Sequence, residues 1–316
     1  DGNWVDQTSR KNTSADMSPT AGQMARLLGL AQASKVYREN DLLSDWEQFS
    51  KDGNEVAWGT IGDASTSEGI FWETINAAGV LQVPMVISVW DDGYGISVSK
   101  KYQTTKESIS SVLRGFKRTK KQPGFEIINV KAWNYQALFD AYAEASKIAR
   151  DEHVPVLVHV EEVTQPQGHS TSGSHERYKD EERLNWEEEY CCINQFRKWI
   201  EKENLVKADE LDRIEDEAKK EVREAQKKAW QEYQEPIKQQ KDEMLALIES
   251  LISNHDDVEK LEEIKKGLSR KNNVIRKDVI SAGRQALFAL RGKESGAKSD
   301  LIKWLDHQQE ENQERF

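Results

Sequence analysis

The sequence predicts an α/β fold: a parallel sheet flanked by helices, followed by a charged helical C-terminal tail. Three observations carry this. Of the 18 glycines, 14 lie at or before Gly173, and so do five of the six prolines, so turns crowd the first part of the chain. Apolar β-favouring runs there alternate with segments of helical period. Beyond about Leu205 the texture changes to charged helix formers. The predicted division is 1–205 for the α/β domain and 206–316 for a helical tail or linker.

Four runs read as strands: Glu55 to Ile61, Val83 to Trp90, Phe125 to Val130 and Pro155 to Val163. The second and fourth are almost continuously apolar, as strands covered on both faces are. Between strands, Ser67 to Leu81 and Tyr135 to Asp151 place apolar residues at spacings of three and four. That is the βαβ pattern, which makes the sheet parallel and its crossovers right-handed. In the tail, Leu211, Ile214, Ala218, Val222, Ala225, Ala229 and Tyr233 fall on one face of a long helix, with Pro236 expected to end or kink it. Further helices are predicted over Asp242 to Ile252, Lys277 to Leu290 and Leu301 to Gln309. The tail reads as solvated packing helices or a linker, without a catalytic constellation.

Acidic residues outnumber basic ones, 56 to 45, for a net charge of -11. Such a chain repels phosphate backbones and anionic lipid, which argues against nucleic-acid and membrane-surface binding. No apolar run reaches the length of a membrane span, and no signal pattern opens the chain, so a cytoplasmic protein is expected. The two cysteines, Cys191 and Cys192, are adjacent and read as ordinary thiols. The chain opens on Asp1; it reads as an N-terminally incomplete piece of a longer polypeptide.

Chemistry concentrates at the corners where two of the predicted strands end. The first corner is "IGDASTSEG", Ile61 to Gly69, and the second is "VWDDGYGIS", Val89 to Ser97. In a parallel α/β sheet, ligands bind beyond the carboxyl ends of the strands. If these strands are neighbours, Asp63 comes within reach of the same cation as Asp91 and Asp92. Mg²⁺ suits a few hard oxygens completed by phosphate and water. Unpaired amides at a helix start, next to the small Ala64 and Ser65, suit a diphosphate. Taken singly, Asp63 also reads as a helix cap, and Asp91-Asp92-Gly93 as a turn.

Gly62-Asp63-Ala64, followed by Asp92-Gly93-Tyr94-Gly95-Ile96 and then Gly168-His169-Ser170, resembles the thiamine diphosphate motif of the 2-oxo acid dehydrogenases. The resemblance is to the α half of the enzymes that decarboxylate pyruvate or branched-chain 2-oxo acids. "SPTAGQMARLLGLAQASKVYR", Ser18 to Arg38, is similar to the family segment that meets the aminopyrimidine. The likeness runs from about Asp16 to Pro236 and implies a thiamine diphosphate-binding fold.

It also implies roles. Asp63 and Asp92 would ligate Mg²⁺ through side chains, and Tyr94 through its carbonyl. Ala64 and Ser65 would offer amides to the diphosphate, with Gly62 and Ile96 completing the cofactor-binding motif. Gly22 and Met24 would flank the aminopyrimidine, and His169 would stand over the thiazolium as the catalytic histidine. His159, inside an apolar strand, reads instead as a satisfied core histidine. Ser170 corresponds to a serine phosphorylated in mitochondrial relatives.

Two positions depart from the family pattern. Asp92 replaces the usual Asn, and Gln165 replaces a common Arg, each making the site about one charge more negative beside an anionic cofactor. Lys100 and Lys101 are the expected compensating cations.

The implied reaction is oxidative decarboxylation of a branched-chain 2-oxo acid, with pyruvate the next choice, and acyl transfer to a lipoyl group. The implied partners are a β half, separate or fused, a lipoyl-bearing acyltransferase and other copies in an oligomer. This chain alone is expected to be inactive. The competing readings are another thiamine diphosphate enzyme, such as a transketolase, and a non-catalytic α/β scaffold.

Overall fold

The computed structural model describes residues 19–169 and 174–315. The chain divides into two compact units at Ala208/Asp209.

In the first unit, helix α1 (Gln23–Glu39) precedes strand β1 (Ala57–Gly62). A 3-10 turn, Ala64–Ser67, leads to α2 (Gly69–Leu81) and then β2 (Met85–Asp91). The two-residue strands β3 (Tyr94–Gly95) and β4 (Val98–Ser99) make a small hairpin. Short α3 (Ile109–Val112), β5 (Glu126–Lys131), α4 (Tyr135–Glu152) and β6 (Val156–Glu161) come next. The unit ends with α5 (Glu181–Glu189) and α6 (Cys192–Lys202).

The four long strands form one parallel sheet in the order β1-β2-β6-β5. Period-two alternation explains why the central strands are so apolar. Met85, Ile87 and Val89 of β2 pack into the cluster built by Met24, Leu27 and Ala31 of α1 and Phe71, Ile75 and Ala78 of α2. Val86 points the other way, with Val156, Val158 and Val160 of β6, onto Ala141, Ala145 and Ala149 of α4. The two central strands, β2 and β6, are therefore buried on both faces, while the edge strands β1 and β5 are mostly half-buried or exposed. Helices α2 and α4 cover opposite faces while their crossovers travel in opposite directions along the sheet, which gives both the same hand.

The predicted strands differ from the observed ones by two residues or fewer at each end. One local expectation gives way: the Gly-Asp corner does not open directly into a helix. It forms the 3-10 turn first, and α2 starts only after Glu68, whose backbone is extended (φ -70, ψ 140).

The second unit holds α7 (Ala208–Ser253), α8 (Glu259–Ser269), α9 (Arg276–Ala289) and α10 (Gly296–Arg315). It encloses its own core, in which Ile237, Met244, Ile248 and Leu251 of α7 meet Leu261, Leu268, Val279, Ala286 and Leu301. Of the two outcomes expected at Pro236, an end or a kink, the helix does not end there, and the segments predicted on either side of it are one 46-residue element. A proline inside a helix forfeits one backbone hydrogen bond and costs about 3 kcal/mol. The burial of four large side chains just beyond it outweighs that. Pro236→Ala is expected to stabilise this unit by about 1–3 kcal/mol, seen by scanning calorimetry as a higher midpoint for its unfolding.

Candidate functional site

Every strand of the sheet runs the same way, so the carboxyl ends line one edge. The register sets Gly62 beside Trp90 and Asp91 beside Glu161. The Asp63 amide then donates to the Trp90 carbonyl at 3.1 Å, which fixes the Gly-Asp corner against the end of β2. The two acidic corners are thus neighbours.

Three carboxylates meet here with different fates. Asp91, 2% exposed, is fully engaged: Oδ2 accepts from His159 Nε2 at 3.0 Å and Lys100 Nζ at 2.8 Å, and Oδ1 from the Gly93 amide at 2.9 Å. Burial pushes its carboxyl up, but the hydrogen bonds from His159 and Lys100 outweigh it and leave it below the usual range. The fully buried His159 also meets Ser110 Oγ through Nδ1 at 2.9 Å. It is a satisfied core histidine that orients Asp91.

Asp92 is half-buried and accepts the Tyr94 amide at Oδ1, 3.1 Å. Burial raises its pKa, opposed by the Tyr94 amide and by the charge of Lys179.

Asp63 is 5% exposed. Its side chain makes no cap to the adjoining turn, and its Oδ2 is buried with no hydrogen-bond partner. Burial, then the charges of Asp91 and Asp92, raise its pKa to about 7. An ionised carboxylate in that setting calls for a cation. Among the described residues no group of three or more His, Cys, Asp and Glu is arranged to hold a metal by itself. Two carboxylates with added carbonyl, phosphate and water oxygens are the donor set Mg²⁺ accepts.

Small residues bring the loops together. A Cβ added at Gly95 would stand 2.7 Å from Ala64 Cβ and 2.6 Å from the Gln103 amide group, and Ser67 Oγ donates to the Gln103 carbonyl at 3.3 Å. Gly95→Ala is therefore expected to push the two corners apart and destabilise the unit by about 1–3 kcal/mol, measured by urea unfolding. Beside Gly62, an added Cβ would meet only Ser65 Oγ, at 3.9 Å, so the backbone there faces open space that a ligand can approach. Ala64 and Ser65 are half-buried in the turn itself.

The start of α1 joins the same edge, because Gln23 Nε2 donates to the Thr60 carbonyl at 3.0 Å. Gly22 is its N-cap, while the Met24 side chain is fully buried in the main core and its amide donates to the Ala21 carbonyl at 3.1 Å. Ile96, 64% exposed and at φ +59, sits between the two strands of the hairpin. His169 is exposed on the segment after β6; Ser170, beside it, lies outside the described residues.

Of the two expected cations, Lys100 is taken by Asp91, and Lys101 is exposed, lying over the Tyr102 ring at 4.8 Å. The cations beside Asp92 are Lys179, just before α5, and Arg183, in its first turn. Sequence reasoning passed over them; the only signal was two basic residues in an acidic stretch.

The fold is a parallel α/β sheet with two acidic corners side by side at the carboxyl ends of adjacent strands. The chain belongs to the dehydrogenase E1 component family, whose family model matches residues 5–238. Curated relatives include the 2-oxoisovalerate dehydrogenase subunit alpha 1 of Arabidopsis thaliana, 26% identical over 220 residues, 69% of this chain and 42% of that protein. The pyruvate dehydrogenase E1 component subunit alpha of Bacillus subtilis is 29% identical over 170 residues, 53% of this chain and 43% of that protein. The chain thus spans less than half the length of these relatives. Among solved structures, transketolase from Leishmania mexicana aligns at TM-score 0.33 and 21% identity, covering 46% of this chain and 20% of that one. Among the described residues no helix is long and apolar enough to cross a membrane.

Proposed function

We propose that this chain is the α half of a thiamine diphosphate-dependent 2-oxo acid dehydrogenase, with the cofactor and its Mg²⁺ held by the first unit. One observation carries the reading most: the buried, unpartnered Oδ2 of Asp63, in a corner shared with Asp92. Asp63 and Asp92 would hold the metal by side chains and Tyr94 by its carbonyl. Gly62, Ala64 and Ser65 would receive the diphosphate, Gly22, Met24 and Ile96 would flank the ring system, and His169 would reach the reacting end. When bound, the cofactor supplies the nucleophilic carbon and the electron sink that decarboxylation needs. The protein's part is to fix the metal corner, through His159, Lys100 and Asp91, and to keep the Asp63 carboxylate away from water.

The substrate we favour is a branched-chain 2-oxo acid, with pyruvate second, since relatives named for both match the chain. A β half and a lipoyl-bearing acyltransferase complete the proposed assembly, an oligomeric multienzyme complex, and the proposed compartment is the cytoplasm, in keeping with two free thiols. The test is reduction of an artificial electron acceptor by the full-length protein with thiamine diphosphate and Mg²⁺. The panel is pyruvate, 2-oxoglutarate and the three branched-chain acids. Turnover with a branched-chain acid, lost in Asp63→Ala, supports the proposal. Silence across the panel in the presence of the β half contradicts it.

A further inference from the structure

An aspartate at 92 and a glutamine at 165 make the candidate site more negative than the family pattern, and Lys100 is committed to Asp91. The compensating charge comes from farther along the chain. Lys179 is a buried cation whose side chain is 2% exposed. Its Nζ donates to both oxygens of Glu187, at 2.9 and 2.7 Å, and to the Gln165 carbonyl at 3.1 Å. Arg183, one helical turn before Glu187, donates from Nε to the same carboxylate at 2.8 Å and from Nη2 to the carbonyl of Asp92 at 2.7 Å. The Tyr94 ring lies 5.4 Å from Lys179 Nζ and 5.5 Å from Arg183 Cζ, and Arg183 also covers Trp186 at 4.7 Å.

Two cations thus share one buried carboxylate, and the cluster carries a net positive charge. The acids that open α5 do not cancel it: Asp180 caps the helix at the Arg183 amide, 2.8 Å, and Asp180, Glu181 and Glu182 are exposed and screened by water. The cluster also ties the segment carrying Gln165 and His169 to the loop of Asp92 and Tyr94.

We propose that Arg183, seated on the Lys179–Glu187 pair, is a positioning residue. Its guanidinium supplies the counter-charge that lets an aspartate stand at position 92 beside a bound diphosphate. This rests on the proposed cofactor site. It offsets about one of the two charge units by which the site departs from the family pattern: the anion gained at 92 is met by the net positive charge of the cluster on and before α5.

The test is a double-mutant cycle in the full-length protein: wild type, Arg183→Gln, Asp92→Asn and the double variant. Calorimetry at pH 8 and saturating Mg²⁺ gives the thiamine diphosphate affinity. Arg183→Gln is expected to weaken binding about tenfold with Asp92 present, the size of one unit charge acting through a partly buried site. In the Asp92→Asn background the loss should fall to about twofold or less. A merely structural arginine would hold the carbonyl of position 92 equally in both backgrounds, so equal losses, or none in either, overturn the proposal. Thermal midpoints of the ligand-free variants complete the cycle. Arg183→Gln should lower the midpoint more in wild type than in the Asp92→Asn background, and additive shifts overturn the proposal. If the wild type binds no thiamine diphosphate, the proposed function fails, and the ligand-free cycle still decides whether Arg183 and Asp92 are charge partners.

Discussion

Asp63→Asn is expected to make the ligand-free protein more stable above pH 7 while abolishing its response to Mg²⁺. Burial first, then the charges of Asp91 and Asp92, raise the Asp63 carboxyl from 3.8 to about 7. A carboxyl whose folded pKa lies above its unfolded value binds its proton more tightly in the native state. Stability therefore falls as pH rises from about 4 to about 7, and the full penalty is present above pH 7. For this shift the penalty is on the order of 4 kcal/mol at most. Asparagine never carries the charge, so the variant should gain up to a few kcal/mol at pH 8 and almost nothing at pH 4. Urea unfolding at both values measures the difference. Proton competition should also weaken Mg²⁺ binding by up to about tenfold per unit below pH 7. An asparagine variant that is less stable at pH 8 would mean that the Asp63 carboxylate already has a partner in the folded chain.

Glu187→Leu should be among the most destabilising single changes in the first unit, at about 3–5 kcal/mol. It leaves the ammonium of Lys179, 2% exposed, facing Arg183 without a carboxylate between them. Lys179→Met should cost less, because Glu187 keeps Arg183 at 2.8 Å. Combining Lys179→Met with Glu187→Leu removes both buried charges of the pair and should recover much of the loss. Denaturant midpoints of the three variants at pH 7 give the order directly. Equal losses from the two single changes would contradict the shared-carboxylate arrangement.

These effects fall on residues that were legible in the sequence to very different degrees. The strands were, because burial on both faces forces near-continuous apolar runs and prolines mark several of their ends. The meeting of Asp63 with the Asp91–Asp92 corner was legible as well, since consecutive strands of a βαβ unit bring their carboxyl ends to one edge. Lys179, Arg183 and Glu187 were not. Arg183 reaches a carbonyl 91 residues earlier, and charged residues in a polar stretch read as a solvated face. Only the fold shows that Glu187 is 1% exposed. The helix runs on through Pro236 for a related reason: a local rule about one hydrogen bond gave way to the burial of Ile237, Met244, Ile248 and Leu251. The core of the second unit was obscured because its helices carry so many charges between their apolar positions that they resemble solvated helices.

The most direct test of the central claim is a calorimetric titration of the full-length protein with thiamine diphosphate, with and without Mg²⁺, in wild type and Asp63→Ala. The cofactor site predicts saturable binding that requires Mg²⁺ and disappears in the variant. Binding that is indifferent to Asp63, or no binding by a folded wild type supplied with Mg²⁺ and its β half, would contradict it.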